Sequence, residues 1–382
     1  MRNATRWFGL ALLSLGLVSF KAIAEIRDDL ISDYNTAVTT GTPASAVEAA
    51  KALIADAIAN PEDPRQTSVL YEGAQFLCLR NECDAAQGAA ETLMQNGDGA
   101  DKAKGVALIA FADFQKNQSG RNRDTLAEAL KAIESHAPDT FSVSAFSTLY
   151  GFDTQKGRWR DAMNSLDSTV IHLDPVKAQY PSLYYPTSRN AVIADFMYRH
   201  STDSLRDLVT HYAKIRQMRS IEDARGDVPD WLETEYWESD AWVRVAEAWF
   251  MANNQQNRIL TEAQREDILE TYPPVDVLGQ STNGPQDSHP FCEGELHMRP
   301  RLDYPTNAAF RGLIGVVTLR MEFDDAGNVI NPEVLASVPI GGFEEETIET
   351  VSNWRWEPNN DQDLSTCRLN RSNVILPVSY TF

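Results

Sequence analysis

Apolar residues recur at two different periods along the chain, and the change of period divides it. From Glu25 to about Tyr272 they return every third or fourth position, with Ala, Leu, Glu and Gln frequent and Gly and Pro gathered at short gaps. That spacing predicts helices, placed at residues 43–60, 66–80, 83–96, 101–116, 123–136, 142–155, 158–172, 188–199, 202–219, 229–253 and 261–271. The gaps are short enough for antiparallel hairpins. From Val317 the period falls to two: Val317, Leu319, Met321 and Phe323 on one side, Thr318, Arg320 and Glu322 on the other. This predicts a strand with one buried and one wet face.

Asp324-Asp325-Ala326-Gly327-Asn328 supplies turn residues tolerant of positive φ, so the strand folds back onto Val329 to Val338. Pro339, Gly341 and Gly342 break that second strand. Phe343, Thr347, Ile348, Val351 and Trp354 follow at helical spacing, with Glu344, Glu345 and Glu346 in the dipole-favoured first turn. Pro358 ends the helix, and Val374, Leu376, Val378 and Tyr380 alternate again to the C-terminus. Gln280 to Glu293, rich in Gly, Asn, Ser and Pro, reads as a linker. The predicted fold is therefore multidomain: an all-α helical-hairpin array over 25–272, a linker at 273–298, and a small α+β domain at 299–382. In that last domain the order is strand, strand, helix, strand.

The same segment carries particular residues in a particular order. They are Asp303-Tyr304-Pro305, Gly312-Leu313-Ile314-Gly315-Val316-Val317, Phe323-Asp324-Asp325-Ala326-Gly327-Asn328-Val329, Ser337-Val338-Pro339, Gly342-Phe343 and Trp354-Arg355-Trp356-Glu357-Pro358. Together they resemble the C-terminal domain of the TonB family of periplasmic proteins. The resemblance implies protein binding: such domains take a short peptide of an outer-membrane receptor as an added strand beside their own sheet. It implies that Tyr304 and Pro305 border the peptide site and that the last strand, Asn373 to Phe382, is the receiving edge. Asn373, Val374, Ile375, Leu376, Val378 and Tyr380 are then the candidate peptide-binding residues. Pro377 has no N–H, which is tolerable only where that position faces the edge. The structural alternative has Pro305 ending a loop and Tyr304 packing on the sheet. So apolar an edge invites aggregation unless it is used, so the expected partner is a peptide or a second copy of the domain.

Gly157-Arg158-Trp159-Arg160-Asp161-Ala162, then Leu166, Thr169 and Asp174-Pro175, resembles the second helix of a tetratricopeptide repeat, and Leu126 to Pro138 is a weaker echo. A generic array of α-hairpins fits the same residues. The aromatic run Tyr180 to Pro186, with Trp231, Tyr236, Trp237, Trp242 and Trp249, has two readings: a ligand groove, or packing between neighbouring helices.

The first residues address compartment. Arg2 and Arg6 precede an apolar run from Trp7 to Phe20, and Ala22-Ile23-Ala24 is a small-x-small cleavage site, so residues 1–24 read as a signal peptide. The run is shorter than the ~20 apolar residues of a membrane span, although a retained inner-membrane anchor is the alternative. Energy-transducing members of the TonB family keep such an anchor, with a histidine in it and a long proline-rich spacer after it. Neither feature occurs here.

Composition agrees with export. The chain holds 34 basic and 55 acidic residues, a net charge of −21 that argues against nucleic acid and anionic lipid as partners. Hydrophobic content of 43% suffices for two cores and excludes wholesale disorder. Cys78 and Cys83 flank a short turn, whereas Cys292 and Cys367 flank the strand-strand-helix unit. In an oxidising compartment an even count favours disulfides, and of the three connectivities open to four cysteines the one made of these two pairings respects the domain boundary. Zinc is the rival use, but the chain has no Cys-x-x-Cys and its six histidines are scattered.

No catalytic, phosphate-binding or dinucleotide motif appears, so neither an enzyme nor a cofactor is expected. Asn96 to Asp101 superficially suggests calcium but lacks the EF-hand spacing, and reads as a turn between helices. The function expected is a periplasmic adaptor that binds a protein or peptide. The alternative is a membrane-anchored energy transducer for transport through outer-membrane receptors.

Overall fold

The computed structural model describes residues 25–275, 290–360 and 362–381. Residues 1–24, expected to be a signal peptide, most of the expected linker and Phe382 lie outside them. The chain forms an array of helices followed by a small α+β region, in two compact units. One unit holds the described residues up to Ile133 together with Asp139–Ser144; the other holds Glu134–Pro138 and everything from Ala145 onward.

In the first unit α1 (Asp28–Thr40), α2 (Pro43–Ala59), α3 (Gln66–Leu79), α4 (Cys83–Asn96), α5 (Gly99–Lys116) and α6 (Gly120–Ile133) pack each on the next. Local chemistry starts them: the Thr42 side chain accepts from Ser45 N with Pro43 at the first helical position, and Asp98 accepts from Ala100 N and Asp101 N. The segment 96–101 is thus a capped turn. Cys78 and Cys83 are joined across the α3–α4 turn. Helix α1 was not expected. Its last turn is rich in Thr and Val, poor helix formers, and Thr39 and Thr40 bond back to the carbonyls of Asn35 and Thr36. Tyr34, packed edge-on against Phe76, holds the helix from the core side.

Helix α7 (Thr140–Gln155) leads into the second unit, which continues with α8 (Trp159–Leu173), α9 (Pro181–Arg199), α10 (Thr202–Arg225), α11 (Asp230–Ala252) and α12 (Glu262–Thr271). Helix α9 begins seven residues before the expected start, so the aromatic run lies inside it except for the exposed Tyr180 at its N-cap. Pro181 occupies the first position, where its missing N–H would be unpaired anyway. The aromatic side chains there are largely packing groups: Tyr185 stacks on Trp231 at 6.1 Å, Phe196 meets Trp249 and Phe250 edge-on, and Tyr212 lies against Tyr236.

The C-terminal region comprises β1 (Gly294–His297), α13 (Thr306–Phe310), β2 (Gly315–Phe323), β3 (Val329–Val338), α14 (Glu344–Val351), β4 (Arg355–Pro358) and β5 (Arg371–Tyr380). The main sheet is antiparallel in the order β3-β2-β5, and β1 pairs with β4 in a separate two-stranded sheet. Val317, Leu319, Met321 and Phe323 face a core completed by Phe343, Val351, Trp354, Val378 and Tyr380, the predicted buried side. Two expectations need correction. Pro358 does not end a helix: α14 stops at Val351, and Arg355–Pro358 is strand, held by Trp356 N on the Gly327 carbonyl and by pairing with β1.

The second correction concerns the other sheet face, which is wet only in part: α11 covers it at Val316 and Thr318, while Arg320 and Glu322 stay partly exposed. Val316, Ala336 and Val338 form one apolar cluster with Ala241 and Val245 of α11, and Thr318 is fully buried beside them. The seam on α11 follows a four-residue step from Glu233 through Trp237 and Ala241 to Val245, one stripe of a helix.

Candidate functional site

Strand β5 joins the sheet only through β2, so its far side is an open edge among the described residues. The register sets Gly315 against Tyr380, Val317 against Val378, Thr318 against Pro377, Leu319 against Leu376 and Met321 against Val374. In an antiparallel ladder hydrogen-bonded and non-bonded pairs alternate. Pro377 has no N–H, so Thr318 and Pro377 form a non-bonded pair. The bonded pairs are then those of Val374, Leu376, Val378 and Tyr380, whose N–H and C=O groups point at β2. The groups that face outward belong to Ile375, Pro377 and Ser379. Two donors (Ile375 and Ser379) and three carbonyls line this stretch.

Asn373 marks one end of the regular edge. Its φ is +56°, in the left-handed region that asparagine tolerates better than most, and the register shifts between Met321 and Phe323 beside it. At the other end three aromatic rings meet. Phe343 stacks on Tyr380 at 4.5 Å, and Tyr304 stands edge-on to both, at 5.7 Å and 5.9 Å. The Tyr380 hydroxyl is 2.7 Å from Thr347 Oγ1. Burial pushes the Tyr380 phenol up despite that hydrogen bond, and burial alone raises Tyr304. Both are neutral apolar walls at neutral pH. Pro305 precedes α13, and its carbonyl accepts from Ala309 N at 2.9 Å.

Helix α11 lies over β3 and β2 and reaches the flank of β5. Where the apolar seam ends, charge takes over. Arg219 and Trp237 Nε1 both donate to the Glu233 carboxylate, at 2.6 Å and 2.7 Å, and Arg320 of β2 stands 3.8 Å away. Burial pushes Glu233 up, but the hydrogen bonds from Arg219 and Trp237 and the two guanidinium charges outweigh it and hold the carboxyl below its ordinary value. Arg320 also pairs with Glu333 across the hairpin, at 3.3 Å. The edge itself carries no charge between Val374 and Tyr380.

Cys292 and Cys367 are joined, 75 residues apart, and anchor the chain ahead of β5. Phe291 packs on Trp356 and lies under the Arg371 guanidinium, fixing the first residue of β5. Among the described residues no group of His, Cys, Asp or Glu converges as a metal ion requires, and no helix is long and apolar enough to cross a membrane.

The structure therefore brings Tyr304 and Pro305 to the Tyr380 end of β5 and leaves Asn373 at the bulged opposite end. Of the expected ladder residues, Ile375 presents its backbone outward, whereas Val374, Leu376, Val378 and Tyr380 bond inward and contribute side chains. Ser379 was not among the sequence candidates, although the parity set by Pro377 marks it.

Residues 300–372 match the family model of the Gram-negative bacterial TonB protein C-terminal domain. This is a family of envelope domains that act in protein interaction and transport rather than catalysis. The match ends two residues into β5 and leaves the helical array unmatched. No curated protein matches the chain.

Proposed function

We propose that this chain is a periplasmic adaptor whose C-terminal domain takes an extended peptide of an envelope protein as an added strand on β5. The observation that carries this reading is the edge itself. Among the described residues it is open, uncharged from Val374 to Tyr380, flanked by buried aromatic rings, and presents outward donors at Ile375 and Ser379. Main-chain hydrogen bonds supply affinity in such a mode, and the side chains on the two faces supply selectivity. The aromatic wall of Tyr304 and Tyr380 borders one end of the track. The helical array then serves as the body that carries this head.

The test is an envelope cross-linking experiment with a photoreactive residue at position 375. Ser379→Pro deletes an outward donor and is expected to abolish the cross-link, whereas Ser379→Thr retains it, with unchanged circular dichroism in both. A Ser379→Pro protein that still cross-links its partners at full yield places the binding surface elsewhere. Mass spectrometry of the same material reads the N-terminus. Glu25 at the start supports export and cleavage, and an intact Met1 in the membrane fraction supports the anchored transducer instead.

A further inference from the structure

An edge that accepts a peptide is also able to accept its own copy, and β5 carries a feature that treats the two differently. The regular part of the edge runs from Val374, just after the bulge at Asn373, to Tyr380. Pro377 stands at its midpoint. Two copies of one strand that close about a two-fold axis must run antiparallel, and each residue then faces its mirror position. The register with the greatest overlap sets Ile375 against Ser379 of the other copy and Pro377 against Pro377. That central pair is of the outward, hydrogen-bonded kind, and both of its donors are missing. Each ring also puts Cδ where a hydrogen would point at the opposing carbonyl, which forces the strands apart at their centre.

Sliding the copies does not avoid the problem. Only Ile375, Pro377 and Ser379 face outward in the regular stretch, so a slide by one step either drives the pairing into the Asn373 bulge or carries it past Tyr380, where β5 ends. Pro377 still enters twice, once from each copy. A peptide from a different chain, with an N–H at every residue, meets Pro377 only once. It loses one hydrogen bond, and its own N–H is still taken by the Pro377 carbonyl.

We infer that Pro377 is the residue that selects a foreign strand over self-pairing, and that the ligand class is an extended segment with apolar residues on its core-side face and no proline opposite Pro377. The inference rests on the reading of β5 as the binding edge. The composition follows from the neighbours: Ile375 is 38% exposed on the α11 side, Val374 and Leu376 are half-buried on the other, and no charge of β5 itself lies between them. On the core side a charged side chain of such a strand would lose water against Val374 and Leu376 without gaining a partner, whereas on the α11 side Arg320, the register partner of Ile375, lies on the same face.

The experiment uses the full chain with Ile375→Cys and Ser379→Cys, which a two-fold β5 pairing would join between copies. With Pro377 retained, mild oxidation is expected to leave monomer, and mapping should show Cys78–Cys83 and Cys292–Cys367 intact. Adding Pro377→Ala or Pro377→Val restores both central donors. Covalent dimer should then form and apparent self-association in sedimentation should rise roughly tenfold. Equal cross-linking with and without Pro377, or none in any form, overturns the inference. Those outcomes are independent of the Ser379→Pro cross-linking, which reads a foreign partner and alone decides whether strand addition occurs.

Discussion

Gly315 and Phe343 are in contact so close that no side chain fits between them. A Cβ on Gly315 would overlap the Phe343 ring and stand 2.8 Å from the Val338 carbonyl oxygen. Because Phe343 stacks on Tyr380 and Tyr304 leans on both, this one glycine sets how the aromatic wall meets the end of β5.

Gly315→Ala should therefore act as overpacking and destabilise the C-terminal region by about 1–3 kcal/mol. The near-ultraviolet aromatic signal should fall with it. Gly151→Ala is the control: it lies within α7, nothing stands within 4 Å of a Cβ there, and removing a helical glycine should stabilise by about 1 kcal/mol. Chemical denaturation of both variants decides the matter, and an unaffected Gly315→Ala protein removes the steric argument.

Backbone parity makes a second pair of substitutions unequal although they are neighbours. Val378 bonds inward to Val317, which is fully buried, so Val378→Pro leaves a buried acceptor without a donor. The expected cost is about 1–3 kcal/mol before any ring clash. Ser379→Pro removes an outward donor that has no ladder partner among the described residues and should leave stability within about 0.5 kcal/mol. Equal losses in thermal unfolding would show that the ladder parity has been assigned wrongly.

The same parity explains what was legible in the sequence. Alternation from Val317 to Phe323 marked the core face correctly because side-chain direction has period two. Backbone donors also alternate with period two, so Val374, Leu376, Val378 and Tyr380, which look most strand-like, are the residues whose hydrogen bonds are already used. Pro377 held the information that Ile375 and Ser379 face outward. The face covered by α11 was not legible, since Thr318 and Arg320 read as ordinary wet positions. Their partner is a stripe on a helix about 80 residues earlier, and that stripe reads equally well as a seam between helices. Helix α1 escaped notice because packing, through Tyr34, overrides a Thr-rich sequence of low helix propensity.

Asp63 gives a pH dependence of definite sign. Its buried carboxylate accepts from the Arg65 side chain, from Arg65 N at 2.7 Å and from Ile26 N at 2.7 Å. The Arg65 hydrogen bonds, reinforced by the two backbone donors, outweigh burial and hold it at about 2 in the folded chain. A depressed carboxyl stabilises fully above its unfolded value of about 3.9, and the contribution fades as pH falls from there through about 2. Asp63→Asn should cost about 2 kcal/mol at pH 7, and the gap between the two proteins should shrink to a small fraction of that at about pH 2 and close below it. A gap that stays constant between these limits would mean that packing rather than ionisation is what the substitution removes.

Thr318 offers the reverse case, a substitution expected to stabilise. It is fully buried, and its register partners Ala336 and Pro377 place it on the face that meets α11. Its hydroxyl has no hydrogen-bond partner among the described residues. A buried hydroxyl without a partner loses its bonds to water and gains nothing in return, a penalty of about 1–3 kcal/mol. Thr318→Val keeps the β-branched shape and the strand preference while deleting only the polar atom. It should raise stability by about 1 kcal/mol and move the unfolding midpoint up by roughly 2–4 °C. Thr318→Ala separates the causes, because it also deletes the hydroxyl but opens a cavity between Ala336 and α11 and should come out less stable than the valine variant. If Thr318→Val unfolds earlier than the native protein in calorimetry, the hydroxyl has a partner at this seam and α11 is bound to the sheet by more than apolar packing.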